Sequence, residues 1–366
     1  MKKKNNNKYK LPLKRKLLII VCGAYILLFL SFSFLFYGPI DSFKEFWITS
    51  AMTTMNHRYL ATWVYSESYI QKVLEKNSII EVNEVSDPNQ IKFRKYTSTI
   101  YKNEYDKEIL THDKDALYKV INVSGKGYQG FLVAIYDPSR VKIATTAYLG
   151  ERGESILTVS KRENAIIAMN AGGFYDPNWN SNGALPHGTV ISNGKVVSDF
   201  DDAKMGGGFI GFTNENKFVL GNMSKEEALK MGYRDAVEFG PYLIVNGKRS
   251  FIKGNGGWGI APRSAIGQRQ DGIVLFLVIN GRLASSIGAD MIDLCDIMEN
   301  YGAYNAANLD GGSSSELVIN NEIVNTPVAG GSRGLRDMPT FWIVKYGEWL
   351  ICFSWIYILL VVIQLF

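Results

Sequence analysis

The run Ile273-Val274-Leu275-Phe276-Leu277-Val278-Ile279 lies between Asp271-Gly272 and Asn280-Gly281. A stretch this short, rich in β-branched and aromatic side chains and closed at both ends by turn formers, reads as a β-strand. The same design recurs at 130–136, 141–147, 165–169, 189–197, 208–212, 217–220, 242–245, 316–319 and 340–344. Asn193-Gly194 and Asn246-Gly247 predict tight hairpins beside two of these runs. Helical pattern is scarce. Ser224-Lys225-Glu226-Glu227 has the form of a capping box, and 289–301 places Met291, Leu294, Cys295 and Met298 on one face before Gly302. Many strands with few helices predict an α+β domain, a many-stranded mixed or antiparallel sheet structure, over residues 115–346.

Outside that region the charge is uneven. The 366 residues hold 40 Lys plus Arg against 35 Asp plus Glu, a net +5, yet residues 1–16 alone carry eight bases and no acid. The remainder is slightly acidic, which excludes a nucleic-acid partner: the excess sits in a short tail and not on a folded face. Residues 17–37 follow, 21 residues without a charged side chain, enough at about 1.5 Å per residue to cross a hydrocarbon core of roughly 30 Å. The run exceeds the roughly 7 to 15 residues of a signal-peptide core. With Lys14, Arg15 and Lys16 abutting it, the tail is expected in the cytoplasm and the rest outside. Residues 349–366 are again free of formal charge and are expected to form a second transmembrane helix, the alternative being a helix lying in the interface. The expected order is a cytoplasmic tail (1–16), a membrane helix (17–37), a helical stalk and connector (38–114), the α+β domain (115–346) and the second membrane helix (349–366). In the stalk, Trp47, Ala51, Met55, Tyr59 and Trp63 recur every four residues.

Gly254-Asn255-Gly256-Gly257-Trp258-Gly259 fits the dinucleotide template G-x-G-x-x-G, but Pro262 stands where the required helix must begin, so the stretch reads as a loop. Three histidines and three cysteines, with no H-E-x-x-H and no paired C-x-x-C, predict neither a metal site nor a cofactor. A divalent cation beside phosphate is conceivable chemistry, and no ligand spacing calls for it. What stands out is a set of glycine-bearing segments at strand ends: Asn170-Ala171-Gly172-Gly173-Phe174, Glu238-Phe239-Gly240-Pro241, Pro262-Arg263-Ser264-Ala265-Ile266-Gly267, Asn308-Leu309-Asp310-Gly311-Gly312-Ser313-Ser314-Ser315, and 330–336. Glycine after a strand lets backbone amides approach a ligand, and each segment adds an amide, acid or guanidinium beside them.

The order of these segments, with Val324-Asn325-x-Pro327 and Arg336, resembles the phosphodiester glycosidase family over roughly residues 118–345. That family includes the enzyme that uncovers mannose 6-phosphate, and many bacterial envelope proteins. Asn280 stands where members often have Asp; a turn accepts either residue.

The resemblance implies hydrolysis of a sugar whose anomeric carbon carries a phosphodiester, on the extracytoplasmic side of the cell membrane, with a phosphate-linked glycan as partner. The leaving phosphate is already a stable anion, so a strong general acid matters less than in ordinary glycosidases. Two needs dominate. Arg263 and Arg336 are expected to hold the phosphate, lined by Ser313, Ser314 and the amides of Gly311 and Gly312. Asp310 first, and Glu238 second, is expected to meet the charge growing at the sugar ring, with Asn170 and His187 on its hydroxyls and Gly172 and Gly173 close to it. Two other readings compete: a serine esterase using the run from Ser313 to Ser315 with His187 and Asp310, and a non-catalytic module that binds glycan phosphate.

Overall fold

The computed structural model describes residues 12–54, 57–93, 100–176, 181–200, 207–329 and 334–346. The apolar runs are strands. Tyr128–Ile135, Val274–Ile279, Arg263–Arg269 and Ala303–Asn308 lie side by side in a seven-stranded sheet with Tyr118–Gly125, Tyr242–Val245 and Lys248–Arg249. One five-stranded sheet holds Gly188–Ser192, Lys195–Phe200, Gly208–Thr213, Phe218–Gly221 and Tyr233–Phe239. Another holds Val141–Thr145, Ala165–Asn170, Leu317–Ile319, Glu322–Ile323 and Thr340–Lys345. Every strand pairing among the described residues is antiparallel, so the mixed alternative drops out. Both Asn-Gly turns close hairpins with positive φ at each residue, 50° and 72° at Asn193 and Gly194, 52° and 73° at Asn246 and Gly247, the geometry that matches strand twist.

All three sheets turn one face to a shared core. Val133 and Phe276 come from the first, Ile210 and Phe212 from the second, Ile167 and Trp342 from the third. Burying each such side chain contributes about 1.5–3 kcal/mol. The other face of the seven-stranded sheet is covered by the helix Met291–Asn300, whose Asp290 cap and Asp293 bond reciprocally. Cys295 is buried there, and burial pushes its thiol pKa up to about 12, which keeps it unreactive. The capping box at Ser224 opens the helix Lys225–Met231, and Gly232 closes it at φ 84°.

The N-terminal apolar run lies within the 25-residue helix α1, Leu13–Tyr37, the one helix among the described residues long and apolar enough to cross a membrane. The stalk is not one continuous helix. It breaks into α2 (Asp41–Met52), α3 (Tyr59–Thr62) and α4 (Glu67–Lys76). Thr53 and Thr54 hydroxyls turn back to the carbonyls of Thr49 and Ala51 at 3.0 and 2.7 Å, side-chain bonds that compete with helix propagation. The three helices close on Ile48, Ala51, Ala61, Ile70 and Val73. They also grip the Gly254–Gly259 loop: Asn255 donates to Thr49 Oγ1 at 2.8 Å and, from its amide, to Asn77 Oδ1 at 2.9 Å. Ser78–Ile80 then pairs with Phe251–Lys253. The expected second membrane helix at 349–366 lies outside the described residues.

Candidate active site

The ends of the three sheets meet at one place. Asn170 closes a strand of one sheet, Glu238 lies near the end of a strand in the second, and Arg263 and Asn308 sit at the ends of neighbouring strands in the third. Asn170 ties them together. Its Nδ2 donates to the carbonyl of Asp310 at 2.7 Å, and its Oδ1 accepts from Ser264 Oγ at 2.7 Å and the Glu316 amide at 3.3 Å. The Asp310 amide in turn donates to the Ala171 carbonyl at 3.2 Å. Asn170 therefore holds the turn in which Asp310 lies.

That turn runs from Asp310 through Gly311 and Gly312 into the short 3-10 turn of Ser313 and Ser314. Gly312 sits at φ 64°, and a Cβ there would lie 3.2 Å from Arg282 Nη2. At Gly311 a Cβ would lie 3.0 Å from the Pro262 carbonyl and 3.5 Å from Arg263 Nη1. The bare backbone thus passes between two guanidinium groups. Loss of hydration raises the Asp310 pKa; hydrogen bonds from the Ser314 hydroxyl and the Gly311 amide, and the charge of Arg336, pull against that.

Arg336 faces the same turn. Its Nη1 donates to Ser313 Oγ at 3.2 Å and Ser314 Oγ at 3.5 Å, its Nη2 pairs with Asp176, and its guanidinium lies over the Phe174 ring, 4.5 Å from the centroid. The serine hydroxyls are engaged by Arg336 and Asp310. Behind it, Glu316 is fully buried and accepts from the Arg336 amide at 2.7 Å, while its Oε2 has no hydrogen-bond partner among the described residues. Burial pushes its pKa up to about 8 against the help of that amide.

Glu316 therefore keeps its proton in the folded chain while the unfolded chain loses it near pH 4.5. The unfolded state then binds fewer protons, so stability falls as pH rises from 4.5 towards about 8 and levels off above. Glu316→Gln, which keeps the bond to Arg336, is expected to gain stability over the parent as pH rises. Urea midpoints at about pH 5 and about pH 9 check this, and an equal gap at both pH values rules the effect out.

Arg263 is buried and largely committed. Its Nε donates to the Ala289 carbonyl at 3.2 Å, and its Nη2 donates to the carbonyls of Trp258 and Gly259. Burial lowers its pKa to about 10, which leaves it charged at neutral pH. Arg282 differs. It is exposed, its guanidinium has no partner among the described residues, and its backbone is held at φ 58°, a left-handed conformation that costs a bulky residue energy. Neighbouring Asn280 accepts from the Thr326 amide at 2.8 Å, so its oxygen serves as a pin, which Asp would also supply.

Glu238 and His187 gather on the Gly173 side. Glu238 Oε2 accepts from the Thr189 amide at 3.1 Å, and the His187 amide donates to the Gly173 carbonyl at 3.0 Å. A Cβ on Gly173 would lie 3.2 Å from the His187 ring, and one on Gly172 would lie 3.5 Å from the Glu238 carbonyl. Sequence reading missed Asp176, Arg282 and Glu316. Asp176 lies two residues past the Asn170 to Phe174 motif, a usable signal; nothing local marks Glu316 as the support for Arg336. Among the described residues no group of three or more His, Cys, Asp or Glu could hold a metal ion.

Residues 163–345, half of the chain, match the family model described as phosphodiester glycosidase. The SPbeta prophage-derived uncharacterized protein YomE of Bacillus subtilis (strain 168) is 29% identical over 214 residues, 56% of this chain and 32% of YomE. The chain thus spans about a third of the length of that curated relative. Among solved structures, the zebrafish N-acetylglucosamine-1-phosphodiester alpha-N-acetylglucosaminidase catalytic domain, auto-inhibited by its pro-peptide, matches at TM-score 0.53 and 18% identity, covering 64% of this chain and 86% of that chain. A likeness at that identity speaks for the fold alone. The family match takes in every strand-end segment gathered here from Asn170 to Arg336, and the chain belongs to the phosphodiester glycosidase family.

Proposed function

We propose that the chain is a membrane-anchored hydrolase that cleaves the glycosidic bond of a sugar-1-phosphodiester on the extracytoplasmic side, in the processing of phosphate-linked envelope glycans. One observation carries the reading: Arg336, Arg282 and the Nη1 of Arg263 all face the turn that carries the Asp310 carboxylate. An acid for the anomeric carbon and cations for the phosphate are the two demands of this reaction.

In the proposed reaction the bond from the anomeric carbon to the phosphate oxygen breaks, and the phosphate monoester leaves with the bonding pair. Water supplies the oxygen that joins the sugar. Asp310 faces the ring carbon, stabilising its growing charge and taking the proton of water or attacking directly. Arg282, with no partner to release among the described residues, and Arg263 Nη1 hold the phosphate across the bare backbone of Gly311 and Gly312. Arg336 orients Ser313 and Ser314 and adds a third positive charge for the phosphate. Glu238 and His187 take sugar hydroxyls from the Gly173 side. The serine-esterase reading gains nothing here, since the Ser313 hydroxyl faces Arg336 and the Ser314 hydroxyl faces Arg336 and Asp310.

Membrane anchorage is supported by α1 and its exit. Tyr65 donates to the Phe36 carbonyl at 3.0 Å and Tyr37 to the Val64 carbonyl at 3.5 Å, so the segment that carries Trp63, 81% exposed, adjoins the end of α1, where Tyr37 is 65% exposed. Exposed aromatic rings at that level suit a lipid headgroup layer. The full chain in detergent, incubated with a panel of sugar-1-phosphodiesters led by an N-acetylglucosamine member, is expected to release free sugar and a phosphomonoester. Binding without release from any member points to the non-catalytic module.

A further inference from the structure

A cavity of about 280 Å³ lies between the membrane-proximal segment and the α+β domain. Asn77, Ile79 and Glu81 form one wall, and Gly240, Pro241 and Trp258 the other. Its volume is at the small end of ligand sites, room for a single ring. We propose that this cavity is a subsite for one neutral sugar ring of the substrate, added to the family's site by residues 74–81, which lie outside the matched region 163–345. The assignment of the ring to the substrate rests on the function proposed above.

The chemistry of the walls makes the case. No Lys or Arg lines the cavity, so it does not suit the phosphate. Its acidic group is Glu81, whose pKa burial raises while the Tyr242 amide pulls it down. One oxygen of Glu81 accepts from the Tyr242 amide at 2.8 Å, and the other lies 4.0 Å from where a Gly240 Cβ would stand, with no hydrogen-bond partner among the described residues. A carboxylate fixed at one oxygen presents the other as an acceptor, which sugar hydroxyls satisfy as donors. Asn77 is not available for this: its Nδ2 donates to the Val73 carbonyl and its Oδ1 accepts from the Asn255 amide, both at 2.9 Å. It is rigid wall. Trp258, Ile79 and Pro241 supply apolar surface for the C–H face of a ring, and at Gly240 a Cβ would have no atom nearer than 3.8 Å, so the space there is open.

The cavity is also tied to the Asp310 turn. The Trp258 carbonyl accepts from Arg263 Nη2, and the Gly240 carbonyl accepts at 2.9 Å from Asn308, two residues before Asp310. These two bonds join the cavity's walls to Arg263 and to the strand end that leads into the Asp310 turn, where a neighbouring sugar of a phosphate-linked glycan would be expected.

Saturation-transfer NMR on the full chain in detergent, with phosphate-free methyl hexosides and methyl N-acetylhexosaminides as probes, tests the subsite without any turnover. Ring protons of at least one probe are expected to receive saturation from the parent chain and equally from Asp310→Asn. Glu81→Gln, which keeps an oxygen for the Tyr242 amide, is expected to weaken that probe about tenfold. Trp258→Ala is expected to abolish it. No transfer to any probe, or transfer unchanged in Glu81→Gln, overturns the proposal. Kinetics gives a second reading: Glu81→Gln raises KM for a cleaved phosphodiester about tenfold with kcat kept. Transfer at the cavity in a chain that cleaves nothing sinks the glycosidase reading and leaves a sugar site; cleavage with KM unmoved by Glu81→Gln sinks the subsite alone.

Discussion

Asp310→Asn is expected to lower the release of phosphomonoester by about a thousandfold or more and to leave the fold intact. The backbone bonds that hold the turn, from the Asp310 amide to Ala171 and from Asn170 to the Asp310 carbonyl, do not involve the side chain. Asn also keeps an oxygen for the Ser314 hydroxyl and the Gly311 amide. The parent carboxylate is poorly hydrated, and its removal relieves a charge that burial disfavours, so the thermal midpoint should hold or rise. In the parent, the raised pKa moves the acid limb of kcat/KM above the ordinary carboxylate range, because the ionised form does the work. Product release by Asp310→Asn within about tenfold of the parent would remove Asp310 from the chemistry. An acid limb at the ordinary value would place the titrating group elsewhere, with Glu238 the next to test.

The strands that form the core were legible because they carry little but apolar residues, as 274–279 does. The strands that build the site were not. Arg263–Arg269, Ala303–Asn308 and Tyr233–Phe239 carry Gln268, Asn305, Asn308 and Asp235, all fully buried. These polar groups pin one sheet to another: Gln268 accepts from the Phe218 amide at 2.7 Å, and Asn305 donates to the Phe218 carbonyl at 3.1 Å. In a sequence, such a residue breaks the apolar run and reads as loop, since its partner lies about 50 or more residues away. Buried polar groups are tolerated only when paired, and pairing across sheets is a tertiary fact. The glycine turns were visible for the opposite reason: their constraint is local. That visibility drew attention to Arg263, whose guanidinium is tied by three carbonyls, and away from Arg282, which follows a short turn and carries no motif of its own. In the stalk the period of four does not mark the packed face: Ala51 is buried, Tyr59 and Trp63 are 40% and 81% exposed, and Met55 lies outside the described residues. The hydroxyls of Thr53 and Thr54 at the end of α2 are side-chain chemistry that periodicity does not weigh.

Arg336→Met is expected to cost both stability and turnover, and the two losses can be separated. Its guanidinium neutralises Asp176, which is 4% exposed and also accepts from the Ser181 amide at 2.8 Å. Removing one partner of a buried pair leaves an uncompensated charge, at a cost of about 3–5 kcal/mol. The fall in turnover could then come from a distorted turn and not from a lost contact with substrate. Asp176→Asn in the same chain removes the stranded charge and is expected to restore most of the melting temperature, a coupling that the double-mutant cycle reads directly. Turnover should stay low, because Ser313 and Ser314 still lack the donor that fixes their hydroxyls and the phosphate lacks a cation. Arg336→Lys keeps a charge near Asp176 but not the planar fork, so it is expected to keep stability better than Met and to raise KM. If the double variant regains turnover along with stability, Arg336 acts only as a brace for Asp176, and the phosphate is held by Arg282 and Arg263 alone.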